Sequence, residues 1–205
     1  MRKFALCLLL FSFSFSEICA DKIDKKLLVD SAARGELEQV KAIIESGKLP
    51  VDSKLFEGQI LPLDLLPYFL NRLFKGLTAL MKAVQNGHAE IVKYLLSQGA
   101  DANAKENEKG FAPLHFAATK GDVEIAKILL DNGADINSKA NGWTPVLIAA
   151  DHGNARLVQF LISQGAIIDA QEPEYFIVLE NVKRFKPEQF RRIEKILLSY
   201  QKSRE

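Results

Sequence analysis

Glycines twelve residues apart recur along this chain: Gly35 and Gly47, Gly87 and Gly99, Gly121 and Gly133, Gly153 and Gly165. The last three pairs follow one another at 34 and 32 residues, so a unit is being repeated. Within each pair the positions 2, 5, 8 and 9 after the first glycine are apolar: Leu37, Val40, Ile43 and Ile44; Ala89, Val92, Leu95 and Leu96; Val123, Ala126, Leu129 and Leu130; Ala155, Val158, Leu161 and Ile162. That spacing lines one face of a short helix, and glycine on either side ends one helix cheaply by adopting a left-handed conformation.

Before each first glycine lies a second helical stretch marked by small pairs, Ser31-Ala32, Ala83-Val84, Ala117-Ala118 and Ala149-Ala150, which let two helices approach closely. Helices this short fall below the roughly 12 to 15 residues that are marginal alone in water. Burying a large aliphatic side chain contributes about 1.5 to 3 kcal/mol, against about 1 to 2 kcal/mol of backbone entropy for each ordered residue. One unit therefore cannot hold its shape, and stacking has to supply the stability.

These residues carry a resemblance. "GFAPLHFAATKG" leading to "LLDNGADIN", "GLTALMKAVQNGHAEIVKYLLSQGADAN" and "GWTPVLIAADHGN" leading to "LISQGA" are similar to the repeats of the ankyrin family, strongly over 76–170 and weakly over 26–52. The resemblance implies an all-α solenoid of stacked helix-turn-helix units joined by hairpin loops. There are departures: Ala79 replaces the usual proline, Ala112 the threonine, Met81 and Leu147 the histidine seen at His115, and Ile167 the aspartate seen at Asp101 and Asp135. The usual threonine and histidine hydrogen bonds are therefore not carried over to every unit.

The units and their surroundings divide the chain into a leader (1–20), an N-terminal capping repeat (21–52), an apolar helical insert (53–74), three repeats (75–105, 106–139, 140–172) and an amphipathic C-terminal cap (173–205). The insert carries "LPLDLLPYFLNRLF" and reads as an extra helix or, since Gly58 and "LPL" echo the entry pattern, equally as a decayed repeat that lost its second helix, either packed on the stack or projecting to a partner. Pro173 and Pro187 each open a cap helix, since proline suits a first helical turn.

Arg2 and Lys3 precede an apolar run from Phe4 to Phe15 that is too short to span a bilayer, and Ala20 precedes a charged stretch, which predicts a cleaved signal peptide. Cleavage would discard Cys7 and Cys19, leaving no disulfide and no thiolate chemistry. Removing Arg2, Lys3 and Glu17 from 27 basic and 26 acidic residues leaves 25 of each, a balance that gives no pull toward nucleic acid. The exception is local: residues 183–205 hold eight basic and three acidic residues, a net of +5, read as a solvated helix face or a site for an acidic partner or membrane surface.

Nothing in the sequence assembles a catalytic constellation. His115 occupies a structural slot, His88 and His152 fall in separate units, and Asp122, Glu124, Asp131 and Asp151 suit helix starts and surfaces. No phosphate loop, HExxH or GxSxG is present, and no cofactor is expected. What repetition offers is a wall, on which Leu77, Phe111 and Trp143 follow each lead glycine and Lys82, Phe116, Ile148 and His152 line the inner helices. The large side chains either pack hairpin to hairpin or form a partner-binding surface. The expected function is a non-enzymatic scaffold that binds a protein partner through its concave face, in the periplasm or secreted, without nucleic acid and without membrane association once cleaved. The chain resembles exported bacterial members of the family, which places a partner among periplasmic enzymes. The alternative is a small-ligand or haem carrier using His152 with His88 or Tyr94, acting beside such an enzyme.

Overall fold

A computed structural model describes residues 24–47, 49–52, 76–169, 171, 173–185 and 187–202, whose repeating secondary structure is helical. The expected leader (1–20) and insert (53–74) lie outside the described residues. The helices are α1 (24–34), α2 (Leu37–Glu45), α3 (Ala79–Asn86), α4 (Ala89–Ser97), α5 (Pro113–Lys120), α6 (Val123–Asp131), α7 (Pro145–Asp151), α8 (Ala155–Ser163), α9 (Pro173–Phe185) and α10 (Pro187–Lys202).

The helices stop where glycine lets them. Gly121 caps α5 with φ 78, a left-handed conformation that is strained for any other residue. It does a second job, because a Cβ there would lie 2.5 Å from the Asn154 side chain of the following unit. Gly87 and Gly121 thus each mark both a helix end and a place where the next layer leans in, whereas a Cβ on Gly99 or Gly133 would meet nothing within 4 Å.

Helix starts are solved differently in each unit. Thr78 accepts from the backbone N–H of Met81 at 3.2 Å, the usual threonine cap. Ala112 has no side chain to offer, and there His115 Nδ1 accepts from the Ala112 N–H at 3.0 Å. Thr144 makes no side-chain cap bond, and its buried hydroxyl has no partner among the described residues. Pro145 opens that helix, so one first-turn donor is absent from the start.

Packing places the helices in two rows. One row runs α3, α5, α7, α9 and the other α2, α4, α6, α8, α10, each helix touching the next in its row. The alanines Ala83, Ala117, Ala118, Ala149 and Ala150 are at most 2% exposed, which is why the inner helices approach so closely. Leu80, Leu95, Leu114, Leu129, Leu157 and Leu161 fill the space between the rows. The cap helices extend the same architecture, with α9 on α7, α10 on α8, and Tyr175, Val178, Ile193 and Leu197 buried beneath them.

A polar ladder fastens the loops that follow the outer helices. Asn103 Oδ1 accepts from Asp135 N at 2.7 Å and Asn137 Oδ1 from Ile167 N at 2.8 Å, each reaching one unit forward. Asp101 and Asp135 hold those asparagines in place by accepting from Asn103 N and Asn137 N. Ile167 cannot do this, and Asp169 takes over two residues later by accepting from Gln171 N.

The first unit docks directly on the second although 23 residues separate Asp52 from Gly76 in sequence. Asp52 Oδ1 accepts from Asp101 N at 2.9 Å, His88 Nε2 donates to Ala33 O at 2.9 Å, and α2 packs on α4. Leu28, Val29, Ala32 and Val40 are buried at this junction of the core.

Candidate interaction surface

The hairpins between units are built by local chemistry. Asn141 and Gly142, with φ of 49 and 83, form a two-residue turn that pairs Ala140 with Trp143. The preceding loop has no such dipeptide. Its Glu106 carboxylate, 7% exposed, accepts the backbone N–H groups of Glu108, Lys109 and Phe111, closing the turn around one charge.

On this loop Phe111 lies flat against His115, with ring centroids 5.3 Å apart, and edge-on to Phe116 at 5.9 Å. Lys109 Nζ sits 5.9 Å from the Phe111 centroid on the open side. Beneath them His115 is fully buried. Because its Nδ1 accepts from a backbone N–H, the proton is on Nε2, which donates to Ser138 O at 3.0 Å and Trp143 O at 3.3 Å. Burial pushes its pKa down from the ordinary 6.5, opposed in part by its backbone hydrogen bonds, so the ring is neutral at physiological pH.

Not every residue expected at this surface is exposed there. Phe111, Phe116, Trp143 and Lys82 are half-buried and His152 is exposed. Leu77 and Ile148, by contrast, are 7% and 4% exposed, which corrects the expectation that they present side chains outward. The hairpin of the next unit comes down on Leu77's turn, where the Asn107 side chain covers Gly76. Ile148 lies on α7, flanked by α5 and α9, and is smaller than the phenylalanine that holds the same position in α5.

Two exposed residues escaped the sequence reading. Phe176 and Ile177 on α9 are 58% and 47% exposed. Phe176 stands three residues after Pro173, as Phe116 does after Pro113 and Ile148 after Pro145, so α9 repeats the inner-helix register. That proline count was available in the sequence. Treating α9 only as an end cap hid it.

The histidines do not converge. His88 is held by Ala33 O, and the ring covers Gly35, while Tyr94 OH donates to Glu45 at 3.4 Å and His152 Nδ1 donates to Ile148 O at 3.0 Å. Asp151, 3.9 Å from His152, accepts from Asn181 Nδ2 at 2.9 Å. Each group proposed for a ligand-carrying role thus has a hydrogen-bonding task inside the stack, and the carrier reading finds no support in this geometry. Among the described residues no group of three or more His, Cys, Asp or Glu is placed to hold a metal, and no helix is long and apolar enough to cross a membrane.

Two rows of short helices, joined by hairpins and covered by a wall of repeated positions, define a helical-repeat solenoid. The family description "Ankyrin repeats (3 copies)" matches residues 6–106 and 28–140, and "Ankyrin repeats (many copies)" matches residues 120–162. The chain belongs to the ankyrin-repeat family. Among curated relatives, Protein phosphatase 1 regulatory subunit 27 of Mus musculus is 36% identical over 144 residues, covering 70% of this chain and 60% of the relative. Protein fem-1 homolog A-like, also of Mus musculus, is 38% identical over 89 residues, covering 43% of this chain and 14% of the relative. The chain therefore spans less than two thirds of the length of the curated relatives it matches, 60% of the first and 14% of the second. Repeats of this family suggest a protein–protein interaction scaffold.

Proposed function

We propose that this protein is an exported, non-catalytic scaffold that holds a protein partner against its hairpins and inner helices. The observation that carries the reading is the Phe111–Phe116 pair, half-buried, braced from below by His115 and bordered by Lys109. Aromatic side chains held rigid by their own fold lose little entropy on contact, and a polar rim around them is the composition of an interface hot spot. The sequence supports export to the periplasm or beyond through its leader-like first twenty residues. The name of one relative denotes a regulatory subunit, which accords with a role exercised through contact rather than turnover.

The test is chemical cross-linking of the tagged full chain in its native cells, followed by affinity capture and mass spectrometry. Recovery of one protein with the wild type, and its loss with Phe111→Ala combined with Phe116→Ala at unchanged helical content, is the expected result. Undiminished capture by the variant would remove this face from consideration, and recovery of only cytoplasmic proteins would overturn the export.

A further inference from the structure

The dipeptide Asn-Gly occurs three times in the chain, as Asn86-Gly87, Asn132-Gly133 and Asn141-Gly142. Asparagine is among the residues least durable in a protein, and a following glycine has no Cβ to shield its backbone nitrogen from the asparagine side chain. Sequence alone gives the three pairs the same chemistry. The fold does not.

Two of the pairs close helices and are held there. Gly87 N donates to Ala83 O at 2.9 Å and Val84 O at 3.1 Å at the end of α3. Gly133 N donates to Leu130 O at 3.0 Å, while Asn132 is tied by its N to Leu129 O and by its Nδ2 to Ile128 O at 2.8 Å. Asn141 and Gly142 stand instead at the tip of a hairpin, beyond the two hydrogen bonds that join Ala140 to Trp143. Asn141 is exposed, and neither its side-chain amide nor the Gly142 N–H has a hydrogen-bonding partner among the described residues.

We propose that Asn141 is a site of spontaneous deamidation, the one pair of the three that the folded chain leaves reactive. The Gly142 nitrogen attacks the Asn141 side-chain carbonyl carbon and a C–N bond forms. The bond from that carbon to Nδ2 breaks, and ammonia leaves with the proton that the Gly142 nitrogen gives up. Water, the sole co-reactant, then opens the cyclic imide, and nothing is oxidised or reduced. Opening at the side-chain carbonyl yields aspartate. Opening at the main-chain carbonyl yields isoaspartate, in which the backbone runs through the side-chain carbons.

The two products load the hairpin differently. Aspartate keeps the backbone and adds a carboxylate next to Gly142, against which the Glu174 side chain already packs so closely that a Cβ there would collide with it. Isoaspartate puts an extra methylene into a two-residue turn, whose flanking residues pair only at that length. The Ala140–Trp143 pairing is then lost, and with it the fixed place of the Trp143 carbonyl that accepts from His115 Nε2 at 3.3 Å. This holds whether or not a partner uses the hairpin face.

The experiment is incubation of the purified full chain at mildly alkaline pH, with samples taken over days for peptide mapping by mass spectrometry and for labelling by an isoaspartate-specific methyltransferase. The same chain unfolded in guanidinium chloride is the reference, and there the three pairs should react at similar rates. In the folded chain Asn141 should react about ten-fold faster than Asn86 and Asn132, since at those two a helix end has to open first. Asn141→Gly, which suits the same turn, should abolish the reaction in this peptide without loss of helical content. The isoaspartyl form should exchange the Trp143 N–H about ten-fold faster than fresh protein, while Asn141→Asp should leave that exchange close to the fresh value. Equal rates at the three sites of the folded chain, or protection of Asn141 along with the others, would overturn the assignment. So would the same ranking of rates in guanidinium as in the fold. An isoaspartyl form with unchanged exchange at Trp143 would overturn the effect on the hairpin.

Discussion

His115 Nε2 donates to the carbonyl of Ser138 at 3.0 Å, so a side chain at the start of one inner helix is bolted to the hairpin that leads into the next. The same ring receives the Ala112 N–H and carries Phe111 on its flat face. One neutral imidazole thereby joins helix capping, unit-to-unit packing and the shape of the candidate contact surface.

That role gives stability a pH dependence with a definite sign. The folded-state pKa of His115 is lowered by burial below its ordinary 6.5. Well above pH 6.5 neither folded nor unfolded chains carry the proton, and the contribution is fully present. As the pH falls below 6.5 the unfolded chain takes up a proton that the folded one refuses, so stability drops by at most about 1.4 kcal/mol per pH unit until the lowered pKa is reached. Urea midpoints measured between neutral and mildly acid pH should show this slope, and His115→Leu should flatten it. The same substitution should lower stability at neutral pH by about 1 to 3 kcal/mol, because the Ala112 N–H loses its acceptor in a buried place. An unchanged slope in the variant would assign the acid sensitivity elsewhere.

Glycines of equal conformation should differ in their tolerance of alanine. Gly121 and Gly133 have φ of 78 and 81, yet a Cβ on Gly121 would press on Asn154 while one on Gly133 would meet nothing within 4 Å. Gly133→Ala should cost about 1 to 2 kcal/mol, the left-handed strain alone. Gly121→Ala should cost about 1 kcal/mol more, an overpacking penalty. In a double-mutant cycle, Asn154→Ala should abolish the excess, and thermal or urea unfolding reads all three.

The first unit is expected to release before the others. Its polar ties to the second unit include the Asp52 carboxylate on Asp101 N and the His88 ring on Ala33 O. Asp52→Ala with His88→Ala should raise amide exchange across 24–45 by about ten-fold or more, corresponding to loss of roughly 1 to 2 kcal/mol, and leave exchange in α6 and α8 unchanged. Uniform acceleration along the whole chain would mean that the stack opens as a single cooperative body.

The repeating frame was legible because it is local. Helix length follows from glycine spacing, the buried stripe from residues 2, 5, 8 and 9 places on, and the close approach of inner helices from paired small residues. Capping was less legible: which ring nitrogen of His115 faces the Ala112 N–H is set by the Ser138 and Trp143 carbonyls across the next hairpin, and Thr144 makes no cap bond although it carries the hydroxyl that serves at Thr78. His88 is similar, a turn residue in the sequence and a bridge to Ala33 only once two distant units are stacked.

The sequence by itself determined the unit, its period and its stacking, since each is set by contacts within a few residues or between identical neighbours. Only the tertiary structure decided which side chains reach water. Leu77 and Ile148 occupy the same kinds of position as Phe111 and Phe116, yet are covered, while Phe176 stands clear on a helix that looked like a plug. The reason is physical: a side chain's exposure is set by the size and reach of residues in the adjoining units, some 30 positions away, and no pattern confined to one repeat encodes that.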